Sequence, residues 1–238
     1  MRSSPSKADP LQPSWLGFAH RGLHSPGMPE NSLAAFRAAA IFSSGTECDV
    51  RLSRDGVPMV FHDADLQRLS GTDASVESSD SGWLAGQLLL GTDETIPTLA
   101  DLLGKWPAHL PLLIECKTMG DNSSHLAQAV AAALLHSSRT AGIMSFDPSI
   151  SHWLAAHRPQ FPRGLVINAD WPADWRSEAV DRAQPQFLAV DIRLLDDPWT
   201  AAMRATLPVY TWTVRTADDR RRALPRADAL IWEADGRP

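Results

Sequence analysis

The sequence predicts a single (β/α)8 TIM barrel, and three observations carry that reading. Its 238 residues suit one closed α/β barrel and leave no room for a sizeable second domain. Eight β-rich runs alternate with alanine-rich segments of helical spacing, which implies a parallel sheet covered by helices. An open doubly wound sheet would carry a glycine-rich phosphate loop after its first strand, and this chain has none there.

The strands are expected at Trp15–Ala19, Thr46–Leu52, Leu112–Cys116, Gly142–Phe146, Gly164–Ile167, Phe187–Ile192, Val209–Val214 and Ala229–Trp232. A ninth run, Val57–Phe61, follows the second strand across Arg54-Asp55-Gly56. Asp-Gly between two such runs marks a hairpin, so this run is expected as an antiparallel arm. Helical spacing appears at Ser32–Phe42, His125–Leu135, Ser149–His157 and Ala217–Ala223, and Pro97-Thr98 opens another helix. Residues 68–95, rich in Ser, Gly and Asp, form an irregular excursion on the active face, with Trp83 and Leu88–Leu90 expected to anchor it.

With 44% apolar and 21% charged residues the chain has the composition of a folded globular protein. A net charge of -6 argues against general affinity for nucleic acid or anionic membranes. Residues 1–14 are polar, interrupted by Pro5, Pro10 and Pro13, and lack the apolar run of a secretory signal; they are expected to be a flexible segment preceding a domain at 15–238. No apolar stretch reaches the length of a membrane span, so a cytoplasmic protein without stable membrane insertion is expected. Cys48 and Cys116 are too few for a disulfide framework and are expected to be buried, reduced and non-catalytic.

The chemistry concentrates at strand ends. The first strand ends in His20-Arg21-Gly22, a proton-transfer group and a permanent cation before a residue that permits a sharp turn; a surface pair in a loop is the plain alternative. In Glu47-Cys48-Asp49 the strand alternation puts both carboxylates on one face and Cys48 on the other. Unpaired buried carboxylates cost several kcal/mol, so a cation or basic partner is called for, unless one acid faces solvent. Glu115-Cys116-Lys117 ends an otherwise apolar strand with the same alternation, which also fits a simple ion pair. Glu47, Asp49 and Glu115 offer hard oxygen ligands suited to Mg2+ or Ca2+. His62, at the end of the return arm, is carried back toward Glu47 and Asp49.

His20-Arg21-Gly22, Pro29-Glu30-Asn31-Ser32, Glu47-Cys48-Asp49-Val50, Arg54-Asp55-Gly56, His62-Asp63, Ile96-Pro97-Thr98-Leu99, Glu115-Cys116-Lys117, Ser145-Phe146 and Trp212-Thr213-Val214 occur in one order over nearly the whole chain. In this ordered set the sequence resembles the glycerophosphodiester phosphodiesterase family. The resemblance implies a PI-PLC-like phosphodiesterase barrel with a divalent cation, Mg2+ or Ca2+, on Glu47, Asp49 and Glu115. It further implies catalytic histidines at His20 and His62, and Arg21 and Lys117 on the phosphate of a small-molecule phosphodiester. We take His20 as the acid and His62 as the base. Trp212 resembles a pocket aromatic that packs on glycerol carbons, with a core role as its alternative, and Phe146 is open in the same way. Glu30 and Asn31 are expected to be structural, Asn31 capping the first helix.

The chain departs from the family pattern at its end, where Glu233-Ala234-Asp235-Gly236-Arg237-Pro238 replaces the usual Thr-Asp-x-Pro and leaves no final helix. The face between the last and first strands is therefore expected to be covered by the N-terminal segment or a second subunit, a possible homo-oligomer, which bears on the oligomeric state more than on the chemistry because none of the proposed ligands lies there. The alternatives to a glycerophosphodiester hydrolase are a related barrel acting on lysophospholipids or other headgroups, by hydrolysis or cyclisation, and a catalytically silent binding barrel.

Overall fold

The computed structural model describes residues 8–118 and 121–238. Eight parallel strands close a barrel: β1 (Phe18–Ala19), β2 (Gly45–Leu52), β4 (Leu112–Cys116), β5 (Ala141–Ser145), β6 (Arg163–Ile167), β7 (Phe187–Asp191), β8 (Val209–Val214) and β9 (Ala229–Trp232). Closure is direct, because β1 pairs with both β2 and β9. The expected arm is β3 (Pro58–Val60), antiparallel to β2 with Val50 opposite Val60. Only two residues of the first run join the sheet. A turn bonded from Gly17 N to Ser14 O replaces its start, and Trp15 is left exposed.

Helices α1 (Leu33–Ile41), α4 (Leu99–Lys105), α5 (Ser123–Leu135), α6 (Pro148–His157), α7 (Ala173–Ala183), α8 (Pro198–Arg204) and α9 (Ala217–Ala223) lie between the strands. Their starts follow the local chemistry. Thr98 and Asp101 form a capping box on α4, Thr216 and Asp219 do so on α9, and Asp147 with Pro148 opens α6. The excursion holds two short turns of helix, α2 (Gln67–Ser70) and α3 (Ser81–Leu84).

The buried apolar residues form layers set by strand alternation. Inside the barrel lie Phe18, Leu113, Met144, Val166, Phe187, Ala189, Tyr210, Ala229 and Ile231. Outward-facing residues such as Val50, Ile114 and Ile143 pack beneath the helices, which is why both faces of these strands are apolar. Cys48 and Cys116 belong to this outer layer as free buried thiols, and burial pushes both well above the ordinary thiol range. A third cluster, including Met59, Phe61, Leu69, Leu84 and Leu89, holds the arm and the excursion together. Leu84 and Leu89 are thus the anchors, whereas Trp83, Leu88 and Leu90 are largely exposed.

The end of the N-terminal segment is seated rather than free. Leu11 is buried at the bottom of the barrel, where a Cβ on Gly142 would come within 2.8 Å of it, and Asp9 accepts a 2.5 Å hydrogen bond from Tyr210 inside. Residues 1–7 of the segment expected to be flexible lie outside the described residues. The seam between β9 and β1 is packed from within the described residues. Trp232 is fully buried, meets Phe42 edge-on at 5.9 Å and donates its indole N–H to Leu16 O. No helix among the described residues is long and apolar enough to cross a membrane.

Candidate active site

The C-terminal ends of the strands surround a pocket of about 160 Å³ lined by His20, Arg21, Glu47, His62, Glu115, Lys117, Phe146, Trp212 and Arg215 among others. His20 and Arg21 leave β1 in a sharp turn. Gly22, at φ 82°, lies so close to α1 that a Cβ would sit 2.8 Å from Ala35, so only glycine lets the chain bend here. Arg21 N donates to Glu47 Oε2 at 3.0 Å, tying this turn to β2.

Glu47 and Asp49 point inward from β2 and Glu115 from the neighbouring β4, in a register that sets Asp49 opposite Glu115. One oxygen from each lies within 4.8 Å of the others. All three residues are buried. Lys117 Nζ reaches Glu115 Oε1 at 2.5 Å and Asp49 Oδ1 at 3.2 Å, while Arg21 Nε lies 3.1 Å from Asp49 Oδ2. Burial alone would raise Asp49, but Lys117 and Arg21 hold it well below the usual carboxylate range. Glu47 is pushed the other way, by burial first and then by Asp49 and Glu115 beside it. Its Oε1 is buried without a hydrogen-bond partner. An unsatisfied carboxylate oxygen facing two further carboxylates is the environment a hard divalent cation would satisfy, and the three residues fit one.

Both histidines are held through Nδ1. His20 Nδ1 lies 2.5 Å from Glu233 Oε2 and His62 Nδ1 lies 2.7 Å from Asp63 Oδ1. Burial would raise Glu233, yet the hydrogen bonds from His20 and His24 and the ion pair with Arg215 lower it; Asp63 is lowered by Arg68 and His62 against its burial. Ionised carboxylates only accept, so Nδ1 carries the proton in each ring and Nε2 is turned toward the site. His20 Nε2 is 4.0 Å from Glu47 Oε2. Burial lowers His20 in spite of its hydrogen bond to Glu233.

Several of these partners escape the sequence analysis. Glu233, in a tail expected to bear on the oligomeric state more than on the chemistry, binds His20, and Arg215 Nε holds its other oxygen at 2.7 Å. Glu30 is no mere helix start. It takes Arg21 Nη1 at 2.6 Å and both terminal nitrogens of Arg68, whose Nε reaches Asp63 at 2.6 Å. An alternating chain of charges thereby runs from Asp49 through Arg21, Glu30 and Arg68 to Asp63, which holds His62. Asn31 does not cap α1; Ser32 does, accepting from Ala35 N. Asn31 instead donates to Asp49 Oδ2 at 2.9 Å and accepts from Asp49 N at 3.3 Å, clamping that carboxylate. Arg51 Nε donates to His62 O at 2.8 Å and fixes the arm's end. Trp212 and Phe146 meet edge-on at 5.4 Å on the wall, with Trp212 pinned to Ala189 O.

The strand ends of the barrel thus present carboxylates, cations and tethered histidines around one pocket. A model of the glycerophosphoryl diester phosphodiesterase family matches residues 20–231, and the chain belongs to that family. It is 39% identical over 94 residues, 39% of this chain, to a probable glycerophosphodiester phosphodiesterase 2 of Mycobacterium tuberculosis. It is 31% identical over 145 residues, 56% of this chain, to glycerophosphodiester phosphodiesterase 1 of Rattus norvegicus. These stretches span 35% and 43% of the two relatives' own lengths. Among solved structures, a glycerophosphodiester phosphodiesterase from Thermotoga maritima superimposes with a TM-score of 0.76 at 25% identity, over 92% of this chain and 94% of that one. A phosphodiesterase from Oleispira antarctica, in complex with the product sn-glycerol-3-phosphate, has the same fold with a TM-score of 0.82 at 22% identity, over 92% of each chain.

Proposed function

We propose that the protein hydrolyses glycerophosphodiesters to glycerol 3-phosphate and an alcohol, with a divalent cation, Mg2+ or Ca2+, held by Glu47, Asp49 and Glu115. The observation that carries this is the convergence in one pocket of three buried carboxylates, two cations and two histidines tethered through Nδ1. When bound, the cation would neutralise the carboxylates and stabilise the negative charge gathering on the phosphate.

Lys117 and Arg21 add positive charge at the same place. Lys117 stays charged, since Glu115 and Asp49 outweigh the effect of its burial. His20 and His62 present Nε2 from opposite supports, β1 and the arm, so one removes the proton of the attacking hydroxyl and the other protonates the departing alcohol. We assign His20 as the acid and His62 as the base. Glu233 and Asp63 stabilise each ring as it becomes positively charged. Trp212 offers its face to the glycerol carbons. The substrate is thus a soluble small molecule, consistent with a cytoplasmic protein that binds neither nucleic acid nor membrane stably.

Turnover in 18O-labelled water tests the hydrolytic step. Label in the phosphate of the released glycerol 3-phosphate is expected, together with free alcohol. A cyclic glycerol phosphate without label would show attack by the substrate's own hydroxyl, and the reaction would be a cyclisation instead.

A further inference from the structure

Among the described residues, three permanent cations line the pocket: Arg21, Lys117 and Arg215. The first two are each engaged by two carboxylates. Arg21 pairs with Glu30 and Asp49, and Lys117 pairs with Asp49 and Glu115. Arg215 is held differently. Its Nε donates to Glu233 Oε1 at 2.7 Å, and among the described residues neither Nη1 nor Nη2 has a hydrogen-bond partner. The side chain is 59% exposed, which leaves this terminal pair open to a ligand at the mouth.

Strand alternation alone would turn Arg215 away from the site. Tyr210 belongs to the interior cluster and Trp212 packs against it, so a regular strand would send Val214 inward and Arg215 outward. The register between β8 and β9 shifts between Thr211 and Val214. Val214 therefore joins the outer layer, while Thr213 and Arg215 reach the pocket. Irregularities of this kind re-aim a side chain beside a site. The main chain is fixed in that position, Arg215 N donating at 3.2 Å to Oδ2 of Asp219, the acid of the α9 capping box.

Around the closed barrel the strands run β1, β9, β8, β7, β6, β5, β4, β2, so β8 and β4 stand opposite each other. Lys117 directly follows β4 and Arg215 directly follows β8. An anion bound between them meets positive charge from both sides. A guanidinium anchored through Nε keeps two terminal N–H groups whose spacing matches two oxygens of a phosphate. Resting on the proposed diesterase reading, we infer that Arg215 is a further substrate-binding residue, its Nη1 and Nη2 donating to the non-bridging oxygens of the phosphate from the side opposite Lys117. Glu233 then serves two groups at once. Its Oε1 holds Arg215 and its Oε2 holds His20 Nδ1 at 2.5 Å, so one carboxylate sets the phosphate donor against the proton donor.

The test is calorimetric titration with glycerol 3-phosphate, in the presence of Mg2+ or Ca2+, of wild type, Arg215→Gln, Arg215→Lys, Glu233→Gln and the double variant Arg215→Gln with Glu233→Gln. This ligand carries the phosphate oxygens and requires no turnover. Arg215→Gln should weaken its binding about tenfold, with a parallel rise in KM for glycerophosphocholine. Arg215→Lys should recover only part, because an ammonium restores the charge without the fork. The loss caused by Arg215→Gln should persist when Glu233→Gln is already present, since the phosphate contact is made by Arg215 itself. Unchanged affinity in Arg215→Gln, or a loss that disappears in the Glu233→Gln background, would mean that Arg215 does no more than hold Glu233; either result overturns the inference and leaves the diesterase reading standing. Folded, cation-loaded wild type that neither binds glycerol 3-phosphate nor cleaves glycerophosphocholine overturns both.

Discussion

Glu233 Oε2 lies 2.5 Å from His20 Nδ1, joining the residue after the last strand to the residue after the first. The contact decides which nitrogen of His20 carries the proton and which faces the pocket. Glu233→Gln keeps the shape but loses the charge that stabilises the imidazolium. We predict a fall in kcat of about a hundredfold with KM little changed, and partial recovery in Glu233→Asp. Wild-type kcat in Glu233→Gln would reduce the contact to a packing feature.

The same carboxylate predicts a pH dependence of stability. Its folded pKa is lowered from 4.5, because hydrogen bonds from His20 and His24 and the Arg215 pair outweigh burial. A lowered acid contributes stability that is complete above the unfolded value and is lost as pH falls below it. The Tm gap between wild type and Glu233→Gln should therefore be full at neutral pH and close as pH drops below about 4.5. A gap that persists unchanged into acid would show that Glu233 is not held ionised.

Among the described residues, Lys117 and Arg21 are the permanent cations paired with the Glu47, Asp49 and Glu115 cluster. Mg2+ or Ca2+ at a hundredfold excess over its dissociation constant should stabilise stripped protein by about 2.7 kcal/mol. Glu47→Gln should weaken that response. The absence of any Tm shift with either ion would remove the cation from this site.

Arg68 joins the excursion to the site through Glu30 and Asp63. It is about half exposed, and exposed pairs stabilise by no more than about 1 kcal/mol, so Arg68→Ala should barely move Tm. Its effect belongs to function. Released Glu30 and Asp63 alter Arg21 and His62, and kcat/KM should drop about tenfold, a differential effect of about 1.4 kcal/mol. Unchanged kinetics would confine Arg68 to the surface.

At the opposite end, Leu11 closes the barrel against Gly142 and the interior rings. Leu11→Ala should cost about 2–4 kcal/mol of stability through the cavity it leaves, measured by denaturant unfolding, with kcat unaffected. A loss under 1 kcal/mol, within what an exposed site shows, would mean that the floor holds without it.

The parts of the site that were legible in the sequence are those governed by strand alternation. Glu47 and Asp49, and Glu115 and Lys117, share faces because a strand repeats every two residues, and Cys48 and Cys116 point to the outer layer for the same reason. The arm was legible from Asp-Gly. Glu233, Arg68 and Asn31 were not, because each acts across the fold, Glu233 on a residue 213 positions away. A charged residue directly after an apolar strand was a signal available for Glu233. It is not specific, since Asp191, the charged last residue of the otherwise apolar β7, instead binds Arg193. Leu11 gave no signal, as one leucine in a polar, proline-rich stretch shows no periodicity.

The direct test of the central claim is release of glycerol 3-phosphate from glycerophosphocholine by metal-stripped protein, before and after addition of Mg2+ or Ca2+, alongside His20→Ala and His62→Ala. The account predicts release that depends on the added cation and is lost in both variants. Folded, cation-loaded protein that releases nothing, or variants that keep full activity, would contradict it.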